Sequence, residues 1–305
     1  DTLQATATTQ YQHTNQLTAQ RGEIKTEDGY TLVSNALRYR LFAEPRVIRD
    51  ATGSAARIAP ILTAFRREER LAKQAVLASS SADANPETLE TETILVESEL
   101  KQAMLQDRSW VALDQSIDAE TKEKIASLDI FGIGFDRYFV RSYPEASIAA
   151  HVTGFVGKDA KGNDTGYFGI EGALDRELSP QNGKLRRWAD ALGRGLFNLD
   201  SNVITPAITG RTVTLTLQRD IQALLQQELR EAMLQYGASA GEVIIMDPKT
   251  GAIIAMNAVP GFDLNDRQGA TIEQFQNPLV ENVYEFGSTI KALTVAAGLD
   301  DGAIT

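Results

Sequence analysis

The sequence predicts an α+β fold with more than one domain, and three observations predict it. Residues 21–45 read as short extended segments, and residues 129–215, where glycines and aromatics return, read as short strands and loops. Between these β-rich stretches, residues 54–126 are rich in Ala, Glu, Leu and Lys with few Gly, which predicts helices. A strand, a helix and an apolar hairpin then follow one another from Val213 to Met256. The 305 residues supply enough chain for two domains of ordinary size.

Taken in order, residues 1–20 are rich in Thr and Gln and read as a linker or frayed helix. Asp28-Gly29 is a turn signal, with Leu32, Val33, Leu37, Tyr39 and Leu41 as apolar positions beyond it. In the helical stretch Leu89, Ile94, Leu95, Leu100 and Met104 recur with mostly helical spacing, and the polar run from Ser79 to Pro86 breaks it. Val213-Thr214-Leu215-Thr216-Leu217 predicts a strand. A helix over about 219–236 follows, with Ile221, Leu224, Leu225, Leu229 and Met233 on one face and Gly237 as its stop. Val243–Met246 and Ile253–Met256 are apolar enough for strands buried on both faces, joined by the turn Asp247-Pro248-Lys249-Thr250-Gly251. No repeat of fixed period is present.

Composition narrows the chemistry. A net charge of −11 with dispersed acidic residues argues against nucleic acid as the main partner, because phosphate binding needs clustered Lys and Arg. Cysteine is absent, which removes thiol nucleophiles, disulfides and cysteine zinc sites. His13 and His151 are the two histidines, neither obviously beside a serine, and both read as surface or packed residues. No stretch approaches the ~20 apolar residues that span a bilayer. A first residue of Asp rather than Met fits a processed or trimmed product, from which an upstream anchor could have been removed.

The catalytic candidates are Ser288 and Lys291. A serine hydroxyl needs a base to become a nucleophile. A lysine three residues later on a helix lies on the same face, one turn away. Burial or a nearby helix N-terminus lowers a lysine pKa and frees its amine to take the proton. Gly287 suits a sharp start to the helix, and Ala292, Leu293, Val295, Ala296, Ala297 and Leu299 make that helix apolar enough to be buried. Unpaired backbone N–H groups at its start can face an oxyanion. The spacing alone is weak, since Ser98-Glu99-Leu100-Lys101 matches equally well on a charged helix and reads as a solvated face. Lys249-Thr250-Gly251 resembles a strand motif of serine transpeptidases, but it precedes the serine and reads as turn chemistry.

With these stretches on the page, the chain resembles the monofunctional (class B) penicillin-binding proteins. Gly241–Met256 is similar to the opening hairpin of the transpeptidase domain, and Tyr284-Glu-Phe-Gly-Ser-Thr-Ile-Lys291 to its catalytic serine segment. Arg21-Gly22-Glu23-Ile24 with Asp28-Gly29, Arg141–Pro144 with Ala149–Gly157, and Gly166–Glu171 resemble the non-catalytic pedestal. The resemblance implies an elongated β-rich pedestal over 21–210, of the dimerisation type, with a helical head insertion at about 46–128. It implies that the start of an α/β-sandwich transpeptidase domain occupies 211–305, after a linker at 1–20.

The activity it implies is peptidoglycan D,D-transpeptidation through a serine acyl-enzyme. Ser288 is then the nucleophile and Lys291 its proton-transfer partner, with no cofactor and no metal. The implied partners are stem peptides ending in D-Ala-D-Ala, β-lactams, and a glycan polymerase with other elongation or division proteins. The implied location is extracytoplasmic, on one N-terminal inner-membrane anchor absent from this chain. Thr26-Glu27 and Phe286 depart from the family's usual Asp-Arg and Pro. The family's S-x-N and catalytic K-T-G motifs do not occur after Lys291, so the chain by itself is expected to be inactive. The alternatives are a non-catalytic interaction module, a β-lactam sensor or a serine β-lactamase; the long pedestal disfavours the last two. Arg21, Arg141 and Glu171 are expected to form a buried charge network, with Gly154, Gly166 and Gly169 serving backbone conformation.

Overall fold

The structure is a computed structural model describing residues 12–77, 86–188, 202–267, 270–283 and 285–304. The chain packs as two units. One comprises residues 1–20, 35–142 and 181–208, and the other residues 21–34, 143–180 and 209–305. Residues 21–34 and 143–180, expected in the pedestal, therefore pack with the residues expected to open the transpeptidase domain.

Chain order begins with strand β1 (Gln12–Leu17), where the Thr/Gln-rich composition predicted a linker or frayed helix. The short β2 (Ile24–Lys25) turns at Asp28-Gly29 into β3 (Thr31–Ala43), a strand far longer than the expected short segments. Gly29 has φ +84, and the turn closes through the Thr26 N–H on the Tyr30 carbonyl at 2.9 Å. Helices α1 (Ala51–Leu77) and α2 (Pro86–Met104) follow; most of the expected polar break lies outside the described residues. The stretch predicted as wholly helical also contains strand β4 (Val111–Ile117) before helix α3 (Ala119–Ala126). Next come β5 (Ile133–Ser142), the hairpin β6 (Phe155–Lys158) and β7 (Asp164–Tyr167), then β8 (Gly183–Trp188), β9 (Asn202–Thr205) and β10 (Val213–Thr214). Helix α4 (Arg219–Tyr236), β11 (Gly241–Met246), β12 (Ile253–Val259) and helix α5 (Ile290–Asp300) complete the order.

In the first unit β1 runs antiparallel to β8, from Gln12 opposite Trp188 to Leu17 opposite Gly183, and β9 pairs the other edge of β8. β4 pairs antiparallel with the far part of β3, and β5 also pairs with β3. The helices cover this sheet. Leu41, Ile58, Leu62 and Ile117 are fully buried there with Leu100, Met104 and Ile125. Each such side chain contributes about 1.5–3 kcal/mol by leaving water. Arg66 clips the elements together, reaching Glu99 at 3.1 Å and Asp114 at 2.9 Å, while Arg70 reaches Glu92 at 3.1 Å.

In the second unit β2 pairs antiparallel with the start of β3 and parallel with β10. Its core gathers Ile24, Leu32, Val33, Tyr143, Ala149, Ala150 and Leu178 with Leu217, Phe262 and Leu264. Arg21 and Glu171 form the expected buried charge pair, Nε to Oε2 at 2.7 Å. Arg21 also reaches Asp175 at 2.7 Å and donates to Ser179 Oγ at 2.9 Å. Arg141, expected in the same network, belongs to the first unit and donates to Asn35 Oδ1 at 3.1 Å.

Candidate active site

The apolar hairpin forms as its sequence dictates. β11 and β12 pair antiparallel, with Ile244 opposite Met256. Lys249-Thr250-Gly251 is its turn. Asp247 Oδ1 accepts from the Lys249 N–H at 2.9 Å, Asp247 Oδ2 accepts from the Thr250 hydroxyl at 2.7 Å, and Gly251 has φ +74. These bonds, the Lys249 N–H foremost, hold the Asp247 carboxyl below its ordinary range. The strands are not buried on both faces: Ala255–Ala258 of β12 are buried, whereas Ile244, Ile245 and Met246 of β11 are exposed.

Helix α4 starts and stops where predicted, but its buried stripe differs. Leu224 is 57% exposed, and the buried positions are Gln222 and Gln226. Gln222 acts as an extra strand partner for β12, donating to the Met256 carbonyl at 2.8 Å and accepting from the Met256 N–H at 2.9 Å. The helix carries four glutamines among its charged residues, so its sequence did not single out Gln222 for this contact. At the start of α4, Arg219 pairs with Glu145 at 3.1 Å and lies 4.9 Å from the Tyr30 ring centre.

From β12 the chain crosses a loop with two short helices, Ile272–Phe275 and Pro278–Glu281, before the serine. Thr271 and Gln274 form a reciprocal cap on the first, and Asn277 Oδ1 caps the second by accepting from the Leu279 N–H at 3.2 Å. Ser288 then lies in a single 3-10 turn, Gly287–Thr289, that runs straight into α5. Gly287 takes φ +55, the left-handed conformation that favours glycine at this sharp start. Lys291 is in the first turn of α5, three residues on, where helical geometry brings the two side chains to one face.

Ser288 and Lys291 are both exposed, and neither side chain makes a hydrogen bond among the described residues. The expected burial of α5 is also not seen: Leu293 is 63% and Leu299 54% exposed. A helix apolar on all sides belongs inside a larger core, and among the described residues no element covers it. The decoy serine and lysine, Ser98 and Lys101, are exposed on α2 as expected. His151 is a packed residue, 6% exposed, with Nε2 3.1 Å from the Gln274 carbonyl. His13 lies on β1. Among the described residues no group of three His, Asp or Glu is placed to hold a metal ion.

A strand, a helix and a hairpin thus lead to a serine and a lysine one turn apart. Family comparison carries this further. Residues 16–215 match the penicillin-binding protein dimerisation domain, and residues 241–305 match the penicillin-binding protein transpeptidase domain. The chain belongs to the class B penicillin-binding proteins. It is 28% identical over 289 residues to the probable peptidoglycan D,D-transpeptidase PenA of Neisseria meningitidis, covering 95% of this chain and 44% of that protein. It is 27% identical to stage V sporulation protein D of Bacillus subtilis, covering 92% of this chain and 39% of that one. The peptidoglycan D,D-transpeptidase FtsI of Escherichia coli is 27% identical over 195 residues, 64% of this chain and 32% of that one. The chain thus spans less than half the length of these relatives. Penicillin-binding protein 2X of Streptococcus thermophilus shares the fold with a TM-score of 0.66 at 20% identity, over 96% of this chain and 42% of that one. A peptidoglycan synthetase of Bifidobacterium adolescentis gives 0.59 at 20% identity, over 96% and 52%.

Proposed function

We propose that the chain is the pedestal, residues 21–210, and the opening of the catalytic domain, residues 211–305, of a peptidoglycan D,D-transpeptidase. The observation that carries this reading is the transpeptidase match over 241–305, with Ser288 and Lys291 one turn apart inside it. Ser288 Oγ attacks the penultimate D-Ala carbonyl of a stem peptide while Lys291 Nζ takes its proton. Collapse of the tetrahedral intermediate breaks the peptide bond, and the terminal D-Ala leaves with that proton. An amine of a neighbouring stem peptide then attacks the ester, forming the cross-link and returning the proton to Ser288. A β-lactam acylates the same oxygen when its amide bond opens. The positive end of α5 favours the negative charge that develops on the carbonyl oxygen.

The protein works on the outer side of the cytoplasmic membrane, held by an N-terminal anchor, beside a glycan polymerase of the elongation or division machinery. No helix among the described residues is long and apolar enough to cross a membrane, which fits the extracytoplasmic part of such a protein. The 305-residue chain alone is inactive. Among the described residues no element covers α5, and Ser288 and Lys291 are left exposed. Fluorescent penicillin tests this reading. The 305-residue chain stays unlabelled, while a chain carrying the complete transpeptidase domain labels and its Ser288→Ala form does not. Stoichiometric labelling of the 305-residue chain would overturn its inactivity, and labelling of the Ser288→Ala form would overturn the nucleophile.

A further inference from the structure

The segment between β12 and Ser288 is fastened to pedestal residues 143–168 within the second unit. The Leu264 N–H donates to the Ala146 carbonyl at 3.4 Å, and Asn265 Nδ2 donates to the Tyr143 carbonyl at 2.9 Å. Phe262 and Phe275, from the segment, enter a ring cluster with Phe155 and Phe168. Phe275 lies 4.9 Å from Phe155, 5.0 Å from Phe262 and 5.7 Å from Phe168. The Arg267 guanidinium sits 4.5 Å from the Phe155 ring centre. His151 is a further polar member of this contact. Its ring stands edge-on to Phe262 at 5.2 Å, and Nε2 donates to the Gln274 carbonyl at 3.1 Å, on the first of the two short helices that precede the serine.

His151 is held by an unusually constrained backbone. It lies in the short helix Ala150–Thr153, which begins after Ala149 at φ +58 and ends at Gly154 at φ +68. Phe168 at φ +58 and Gly169 at φ +44 press against that helix. A Cβ on Gly154 would collide with the Phe168 carbonyl, and one on Gly169 with the Val152 carbonyl. Non-glycine residues at positive φ cost about 1–3 kcal/mol each and persist where the surroundings over-determine them. Helix α5, by contrast, is exposed along nearly all its length. The Ser288 turn is therefore tied to the unit through the segment that His151 grips.

We propose that His151 is a positioning residue for Ser288. The ring cluster and the Nε2–H bond dock residues 260–267 and 270–275 on residues 143–168, and this docking sets where the Ser288 turn begins. His151 acts through Gln274 and does not touch substrate. The proposal rests on the reading of Ser288 as nucleophile, so it is tested in two ways, one of them free of that reading.

In the 305-residue chain, His151→Leu removes the donor while keeping an apolar side chain. Amide hydrogen exchange of peptides covering 271–283 should rise about fivefold, since opening then costs one hydrogen bond less. His151→Gln carries an amide N–H that can reach the same carbonyl and should return exchange to within about twofold of wild type. In a chain carrying the complete transpeptidase domain, His151→Leu should lower the acylation rate constant for a fluorescent penicillin about tenfold with little change in its initial binding, and His151→Gln should restore it. Unchanged exchange over 271–283 in the Leu form, or equal losses in the Leu and Gln forms, overturns the positioning role. Labelling that survives Ser288→Ala overturns the nucleophile instead, and the exchange result stands apart from it.

Discussion

Replacing Arg21 by Met should cost the second unit a large part of its stability. The Arg21 side chain is 7% exposed and that of Glu171 0%. Nε meets Glu171 Oε2 at 2.7 Å, Nη2 reaches Asp175 at 2.7 Å and the Glu171 carbonyl at 3.2 Å, and Nη1 reaches Ser179 at 2.9 Å. Met fills the stem volume but leaves a fully buried carboxylate without its guanidinium, a loss of about 3–5 kcal/mol. At about 2–4 °C per kcal/mol for a domain of this size, the melting temperature falls roughly 6–20 °C. Arg21→Lys keeps the charge, loses the planar fork and falls between the two. Pairing Arg21→Met with Glu171→Leu recovers much of the loss, because a buried ion pair and a packed apolar pair are often close in energy. Urea unfolding followed by far-UV circular dichroism measures this. Trp110 and Trp188 both belong to the other unit, so their fluorescence serves as an internal reference. An Arg21→Met form within about 1 kcal/mol of wild type would refute the reasoning, because no buried carboxylate tolerates such a loss at that cost.

Gly166→Ala should be as damaging, because its Cβ collides with the Glu171 carbonyl and comes within 2.8 Å of Arg21 Nη2. A loss of about 3 kcal/mol, the upper end of overpacking costs, should appear in the same urea titration. Asp118→Ala removes the α3 cap, in which Oδ1 accepts from the Thr121 N–H at 2.8 Å. It should cost about 1 kcal/mol, read from Trp110 fluorescence in that unit. Burial alone would raise the Asp118 pKa, but the bonds from Thr121 and the charges of Arg38 and Lys124 hold it below the ordinary value. The stability it adds is therefore present above the unfolded carboxyl pKa and lost as pH falls through the lower folded value. Burial pushes the His151 imidazole below its usual value of 6.5, against the pull of the Gln274 carbonyl. The unfolded chain then takes the proton first, so this contribution is flat above about pH 6.5 and turns destabilising below it. Urea midpoints at pH 8 and pH 5.5 should differ less in His151→Gln than in wild type.

The elements legible in the sequence were those whose periodicity is local. Helix α4 and the β11–β12 hairpin follow from side-chain spacing, Gly237 and the Asp247–Gly251 turn, and all lie within a few residues of where they were expected. Strand β1 was not legible, because it is defined by pairing with β8, far along the chain, and its Thr/Gln composition carries no apolar alternation. β4 was hidden inside a helix-rich stretch by the same non-locality. The buried stripe of α4 went to Gln222 and Gln226 because Gln222 satisfies the Met256 backbone, which no hydropathy pattern reports. The Ser288–Lys291 spacing was legible, and the two residues lie where the chain enters α5. Its expected burial is not, because burial depends on what packs over α5. The grip of residues 143–168 on the segment after β12 left no trace in local pattern, since it joins stretches more than a hundred residues apart through rings and backbone carbonyls.

The most direct test of the account is the site of penicillin attachment in a chain carrying the complete transpeptidase domain. Intact mass and peptide mapping after reaction with benzylpenicillin should show one penicilloyl adduct on Ser288, absent from Ser288→Ala and strongly slowed in Lys291→Ala. An adduct on any other residue, or an undiminished adduct in Ser288→Ala, would contradict the assignment of Ser288 as the nucleophile.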